Sequence, residues 1–154
     1  MQVANASAAI AALDTLREDL PIALKDIRRG LADVSLPARF QVLPGRPAVV
    51  LDAAHNPQAA RVLAENLSAS GFAPRIHAVF GILRDKDAAG VVAALSSQVT
   101  DWHLATLPGA RGRSATELAG VVRQAVSGAT VATHATPALA FTAAQSAAAE
   151  NDKI

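Results

Sequence analysis

The chain has 154 residues, 51% of them hydrophobic and 18% charged, which excludes a disordered chain and suits one domain or one domain with a fragment attached. Fourteen basic against thirteen acidic residues leave a net charge of +1; with no charged block and no apolar run near the ~20 residues of a membrane span, neither a nucleic-acid surface nor a membrane segment is expected. The absence of cysteine excludes disulfides, thiolate metal sites and cysteine nucleophiles, and 3% aromatic content argues against a single-strand binder that works by stacking.

The opening Met1-Gln2-Val3-Ala4-Asn5 lacks the basic start of a signal peptide, so a cytoplasmic protein is expected. Residues 5–34 read as two helices. Asn5 is a good N-cap and Ile10, Leu13 and Leu16 form an apolar face; after a break at Pro21, Leu24, Ile27 and Leu31 mark the second helix. Two such short helices cannot bury much by themselves, so residues 1–36 read as an appendage or as the helical tail of an upstream domain. From Arg39 the pattern changes, and a second domain is expected over residues 37–154. Phe40-Gln41-Val42-Leu43 alternates like a half-exposed strand, and Pro44-Gly45-Arg46-Pro47 is a turn. Ala48-Val49-Val50-Leu51 is an apolar strand, so the pair predicts a hairpin.

Beyond Asp52, helices are expected over 57–69, 85–99, 114–126 and 137–149, alternating with strands over 76–80, 102–107 and 130–133. Thirty-seven alanines allow these helices to pack closely on a sheet. Repeated β-α units specify an α/β fold: a mostly parallel, Rossmann-like sheet with helices on both faces and one antiparallel N-terminal edge strand. The last residues, Glu150-Asn151-Asp152-Lys153-Ile154, begin what reads as a further strand and stop. Residues 37–154 are thus expected to form an incomplete domain whose last strand is missing. An open sheet edge there invites self-association.

Ligands of open α/β sheets bind beyond the carboxyl ends of the strands. Asp52-Ala53-Ala54-His55-Asn56-Pro57 lies there, with small alanines that let a ligand approach the backbone. Asn56 and Pro57 read better as helix cap and first turn. Asp52 and His55, two ionisable groups at the ligand edge, read better as functional. Arg39 reads equally as a surface ion pair or as a forked donor to phosphate. Lys86 can reach an anion, although Arg84-Asp85-Lys86-Asp87 also suits a solvated helix start. Arg111 and Ser114 precede a helix, where an anion site and a plain loop are equally expected. His77 and His103 fall within strands, and His134 has no evident partner; four scattered histidines give no metal-site spacing.

Taken together, Leu36-Pro37-Ala38-Arg39-Phe40-Gln41-Val42, the Asp52–Pro57 segment, Gly81-Ile82-Leu83-Arg84-Asp85-Lys86-Asp87, Asp101-Trp102-His103 and Gly109-Ala110-Arg111-Gly112-Arg113-Ser114-Ala115 resemble the C-terminal domain of the dihydrofolate synthase/folylpolyglutamate synthase family. Asn5-Ala6-Ser7-Ala8-Ala9 resembles a helix at the end of that family's central domain. The family belongs to the Mur ligase superfamily. The resemblance implies an ATP-dependent ligase that joins L-glutamate to dihydropteroate and to reduced folates through an acyl phosphate, with ATP and Mg2+ as cofactors. It implies ATP contacts at Asn5, Arg39 and Asp52 and glutamate contacts at Asp52 and His55.

Departures from the family pattern are equally specific. No Gly-x-x-x-x-Gly-Lys-Ser/Thr phosphate loop is present. The family's magnesium ligands and folate-binding loops, and a Gly-Ser strand expected after Ile154, are also absent, and Ala38 stands where the family carries glycine. The resemblance therefore implies a fragment truncated at both ends, without catalytic residues of its own and inactive alone, cut from a monomeric parent. A non-catalytic nucleotide- or anion-binding module and another Mur-type ligase are the alternatives.

Overall fold

A computed structural model of the chain describes residues 2–34 and 36–154, which divide into two compact units, residues 1–37 and 38–154. The first holds α1 (Gln2–Thr15) and α2 (Leu24–Asp33). The helix begins before Asn5, since nothing in the residues ahead of it breaks a helix, so Asn5 lies within the first turns of α1 and is not its cap. Ile10 and Leu13 of α1 and Leu24 and Ile27 of α2 line a shared hollow of about 200 Å3. No described side chain of this unit is buried.

The second unit contains β1 (Gln41–Leu43), β2 (Val49–Leu51), α3 (Pro57–Ala69), β3 (His77–Phe80), α4 (Ala88–Leu95), β4 (Asp101–Ala105), α5 (Ala115–Ala125), β5 (Thr130–His134) and α6 (Pro137–Ala147). Helix starts follow side-chain capping. Asn56 Oδ1 accepts the Ala59 N–H at 2.9 Å, Asp87 Oδ1 the Gly90 N–H at 2.9 Å, and Thr136 the Leu139 N–H at 3.2 Å. Ser114 and Glu117 form a capping box. Because Asp87 is a cap, α4 starts at Ala88, not at Asp85; it ends at Leu95, where Ser96 and Ser97 favour a turn over the expected continuation to 99.

Strands β1 and β2 pair antiparallel, with Val42 opposite Val50, as the hairpin pattern predicts. Strands β3, β4 and β5 form a parallel sheet in that order, with Ala78 beside Trp102 and Trp102 beside Val131. The expected single sheet is therefore present as two pieces. Among the described residues Lys153 bridges the two, pairing in parallel with both Ala48 and Ile76.

Side-chain alternation gives the three-stranded sheet two unlike faces. Ala78, Phe80, Trp102, Leu104 and Val131 join Val91 and Val92 of α4 and Leu118 and Val122 of α5 in the main core. The ring of Phe80 meets Trp102 edge-on at 5.9 Å. The opposite face carries His77, Asp101, His103 and His134 and is covered by α6, whose Ala140 and Ala144 are fully buried. Among the described residues no helix is long and apolar enough to cross a membrane.

Candidate functional site

The hairpin brings Arg39 and Asp52 to one rim, but not by pairing them. Asp52 leaves the carboxyl end of β2, and its carboxylate turns back on the chain. Oδ2 accepts the Phe40 N–H at 2.8 Å and Oδ1 accepts the Ala54 N–H at 2.8 Å. The Ala53 N–H donates to the Ala38 carbonyl at 2.9 Å, and the Ala38 N–H donates to Gln41 Oε1 at 3.2 Å. These four bonds clasp a turn whose backbone is strained on both sides of Arg39, since Ala38 has φ 54° and Phe40 φ 49°. Such left-handed conformations cost an L residue roughly 1–2 kcal/mol each. They persist where surrounding bonds over-determine the backbone. Phe40, expected to begin β1, is instead part of this turn.

Arg39 itself is exposed, and among the described residues its guanidinium makes no hydrogen bond or ion pair. A permanently charged fork on a rigid turn, with no internal partner, is suited to bind an external anion. The carboxylate at Asp52 is already engaged by backbone on both oxygens, so its first task is to hold that turn.

On the following loop, His55 is exposed and its Nδ1–H donates to the Ala53 carbonyl at 3.0 Å. In the tautomer this bond selects, Nε2 faces outward as an acceptor. Asn56 is committed to capping α3, as the capping preferences indicate.

The loops after β3 and β4 lie on the carboxyl side of the parallel sheet and are locked to each other. The Arg84 N–H donates to the Arg111 carbonyl at 2.9 Å, and Arg84 Nε donates to the Gly112 carbonyl at 2.9 Å. Gly112 is required here, because a Cβ would collide with the Leu107 carbonyl. Arg111 pairs with Asp85 through Nη2 at 2.9 Å, and Lys86 stands 3.8 Å from the same carboxylate. The Arg111 hydrogen bond holds the Asp85 carboxyl below its ordinary pKa. Ser114 gives its hydroxyl to Glu117 at 2.7 Å. Lys86, Arg111 and Ser114 thus have internal partners, unlike Arg39. The described residues gather no three His, Asp or Glu side chains suited to hold a metal ion.

A polar row on the α6 face was not legible as a unit. His77 Nδ1 lies 3.3 Å from His103 Nε2, and the rings of His103 and His134 stack at 5.7 Å. His134 therefore does have a partner, supplied by strand register rather than sequence spacing. Asp152 closes the row, 3.4 Å from His77 Nε2, and accepts the Ala149 N–H at 2.8 Å. That backbone bond, with help from His77 and against the effect of burial, keeps the Asp152 pKa low. Asp101 pairs with Arg75; burial pushes its pKa up, but hydrogen bonds from Arg75 and Thr100 prevail and lower it. The signal available in sequence was only a histidine or aspartate at alternate positions of neighbouring strands.

Residues 38–154 match the family model described as Mur ligase, glutamate ligase domain. Dihydrofolate synthase/folylpolyglutamate synthase of Escherichia coli K12 is 44% identical over 114 residues, covering 74% of this chain and 26% of that protein. The structure of E. coli FolC in complex with DHPP and ADP superposes with a TM-score of 0.86 at 38% identity, covering 97% of this chain and 34% of that one. A bifunctional folylpolyglutamate synthase/dihydrofolate synthase with Mn, AMPPNP and L-glutamate bound gives 0.82 at 38% identity, covering 98% and 35%. The chain spans about a quarter of the length of the curated E. coli relative.

Proposed function

This chain belongs to the Mur ligase glutamate ligase domain family, and from that membership we propose that it is the C-terminal part of a cytoplasmic, ATP-dependent amide ligase. The ligase adds L-glutamate to dihydropteroate and to reduced folates. Names and bound ligands of the relatives support this substrate class. In such a reaction a substrate carboxylate takes the γ-phosphoryl group, and the glutamate amine then displaces phosphate from the acyl carbon. The protein's share is positioning and charge neutralisation.

The single observation that carries the reading is the Arg39 guanidinium on its clasped turn, unpaired among the described residues. We assign Arg39 to the nucleotide polyphosphate, with Asp52 holding the turn and Asn5, exposed on α1, as a further nucleotide contact. His55 Nε2, an acceptor in its bonded tautomer, suits the amine of the incoming glutamate. The magnesium that accompanies ATP would be held by the central domain of such a ligase. Residues 1–36 belong to the preceding domain, and the chain by itself transfers no glutamate.

Titration of the purified chain with a fluorescent ATP analogue tests the assignment. Arg39→Ala weakens binding at least tenfold with unchanged thermal stability, whereas Arg111→Ala, which removes a paired arginine, changes affinity less than twofold. Equal affinity of Arg39→Ala and the parent chain overturns it. A chain that binds nucleotide yet forms glutamate amide from ATP, glutamate and dihydropteroate overturns the expected inactivity.

A further inference from the structure

The polar row under α6 has a fixed capacity for hydrogens. His77 and His103 are 1% and 7% exposed, and Asp101 and Asp152 beside them 3% and 4%. His77 Nε2 faces Asp152 Oδ2 at 3.4 Å, and His77 Nδ1 faces His103 Nε2 at 3.3 Å. A carboxylate only accepts, and two facing imidazole nitrogens share one hydrogen, so the neutral pair is filled in one way. His77 carries its hydrogen on Nε2, toward Asp152; His103 carries its own on Nε2, toward His77. That leaves His103 Nδ1 bare, buried and without a hydrogen-bond partner among the described residues.

A third hydrogen on this pair therefore goes to His103 Nδ1. If it arrives at His77 Nδ1 instead, His103 must move its own hydrogen from Nε2 to Nδ1, with the same outcome. Either way a buried N–H points at no acceptor, and the full desolvation cost of that group falls on the closed structure.

The surrounding groups offer no relief. From β5, His134 stacks its ring on His103 at 5.7 Å, and its own Nε2 is buried without a partner. On β4, Asp101 is engaged by Arg75 Nε at 3.0 Å and by the Thr100 hydroxyl at 2.7 Å. Asp152, beyond α6, already accepts the Ala149 N–H at 2.8 Å and the Arg75 N–H at 3.2 Å. The helix α6 packs across all three strands, and Pro137–Ala147 contains no ionisable side chain to answer a charge.

We propose that this row is a proton-operated latch on α6: a hydrogen taken up at His103 Nδ1 lifts α6 from the sheet, while the core on the opposite face stays closed. The helix yields first because it meets the sheet through the small side chains of Ala140 and Ala144. The strands are joined by backbone pairing, and Leu118 and Val122 of α5 are fully buried on the other side. Burial, then the charges of His77 and His134, lower the His103 pKa from 6.5, so the latch is closed above that value and opens as pH falls through and below it. Nothing in this inference rests on the nucleotide assignment.

Amide hydrogen exchange of the full chain at about pH 7 and about pH 5, corrected for the intrinsic pH dependence of exchange, tests the latch. Protection of the Ala144 amide in α6 falls roughly tenfold or more at the lower pH, while that of the Val122 amide in α5 changes less than about twofold. In His103→Leu the Ala144 amide is equally protected at both pH values. Equal losses in α5 and α6, no loss in α6, or a response that survives His103→Leu overturns the proposal. Imidazole nitrogen NMR of the parent chain decides the matter without a substitution. His103 Nδ1 is bare at neutral pH and gains its hydrogen over the same pH range in which exchange in α6 accelerates. Protonation of Nδ1 with α6 still protected means that no latch exists.

Discussion

Helices α1 and α6 are both alanine-rich, yet they have opposite fates. In α6, Ala140 and Ala144 are fully buried because a sheet lies against them. In α1, Ala8, Ala9, Ala11 and Ala12 are exposed, and in the neighbouring α2 Leu24 is 61% exposed. Helix propensity is similar in both regions, so propensity alone did not decide burial. The second unit provides a sheet on which helices can remove apolar surface from water; the first provides only another short helix. Most helical stability in proteins comes from such packing, and the two regions of this chain separate the contributions.

Core truncation is the strongest way to break that contrast. Leu118→Ala, at a fully buried position, lowers unfolding stability by about 2–5 kcal/mol. Leu24→Ala changes it by no more than about 0.5 kcal/mol. Urea denaturation followed by far-UV circular dichroism reads both, and equal losses would mean that the first unit is packed as tightly as the second.

The rim of the second unit is held by hydrogen bonds more than by apolar burial, and Asp52→Ala sharpens the comparison there. Removing the carboxylate leaves the Phe40 and Ala54 N–H groups without their acceptor, at a cost of about 1–2 kcal/mol for a half-buried site. Hydrogen exchange at Phe40 then accelerates while the amides of β4 stay protected. Unchanged exchange at Phe40 would show that the turn needs no clasp.

The two sheet faces differ in their response to acid. The His103 pKa is lowered from 6.5, first by burial and then by the charges of His77 and His134. The folded state therefore holds His103 neutral where the unfolded chain takes up a proton. Its contribution is complete above pH 6.5 and is lost as pH falls through and below that value. His103→Leu flattens stability against pH in this window, whereas Leu118→Ala leaves the slope unchanged. Identical slopes in the parent and His103→Leu would remove His103 from the account.

The smallest expected effect is a gain. Ala38→Gly relieves a left-handed Ala that costs roughly 1–2 kcal/mol, against a glycine entropy penalty of about 0.5–1 kcal/mol. A net stabilisation of about 0.5 kcal/mol follows, visible as a small rise in the unfolding midpoint. A loss would mean that φ 54° at this position carries no strain.

Local chemistry is legible in the sequence wherever one residue acts on its near neighbours. Asn56 with Pro57 starts α3, and apolar runs bounded by turn residues mark β2 and β3. Both follow from short-range capping and periodicity. The site was legible in part. Asp52 and His55 stood out as ionisable groups at a strand end, and Arg39 through the resemblance, but the direction of the Asp52 carboxylate did not. It points to Phe40, twelve residues away in sequence, and only closure of the hairpin decides that. Asn5 is the opposite case, because a good capping residue does not stop a helix from beginning earlier.

The amino-acid order by itself determined the alternating α/β elements, the hairpin, most helix starts and the polar cluster at the end of β2, because each depends on contacts between residues close in the chain. Tertiary structure alone decided that histidines 26 and more positions apart share one face and that, among the described residues, Arg39 is left free while Arg111 is paired. Those outcomes depend on strand register and loop closure between distant segments, and backbone pairing across space has no signature in local composition.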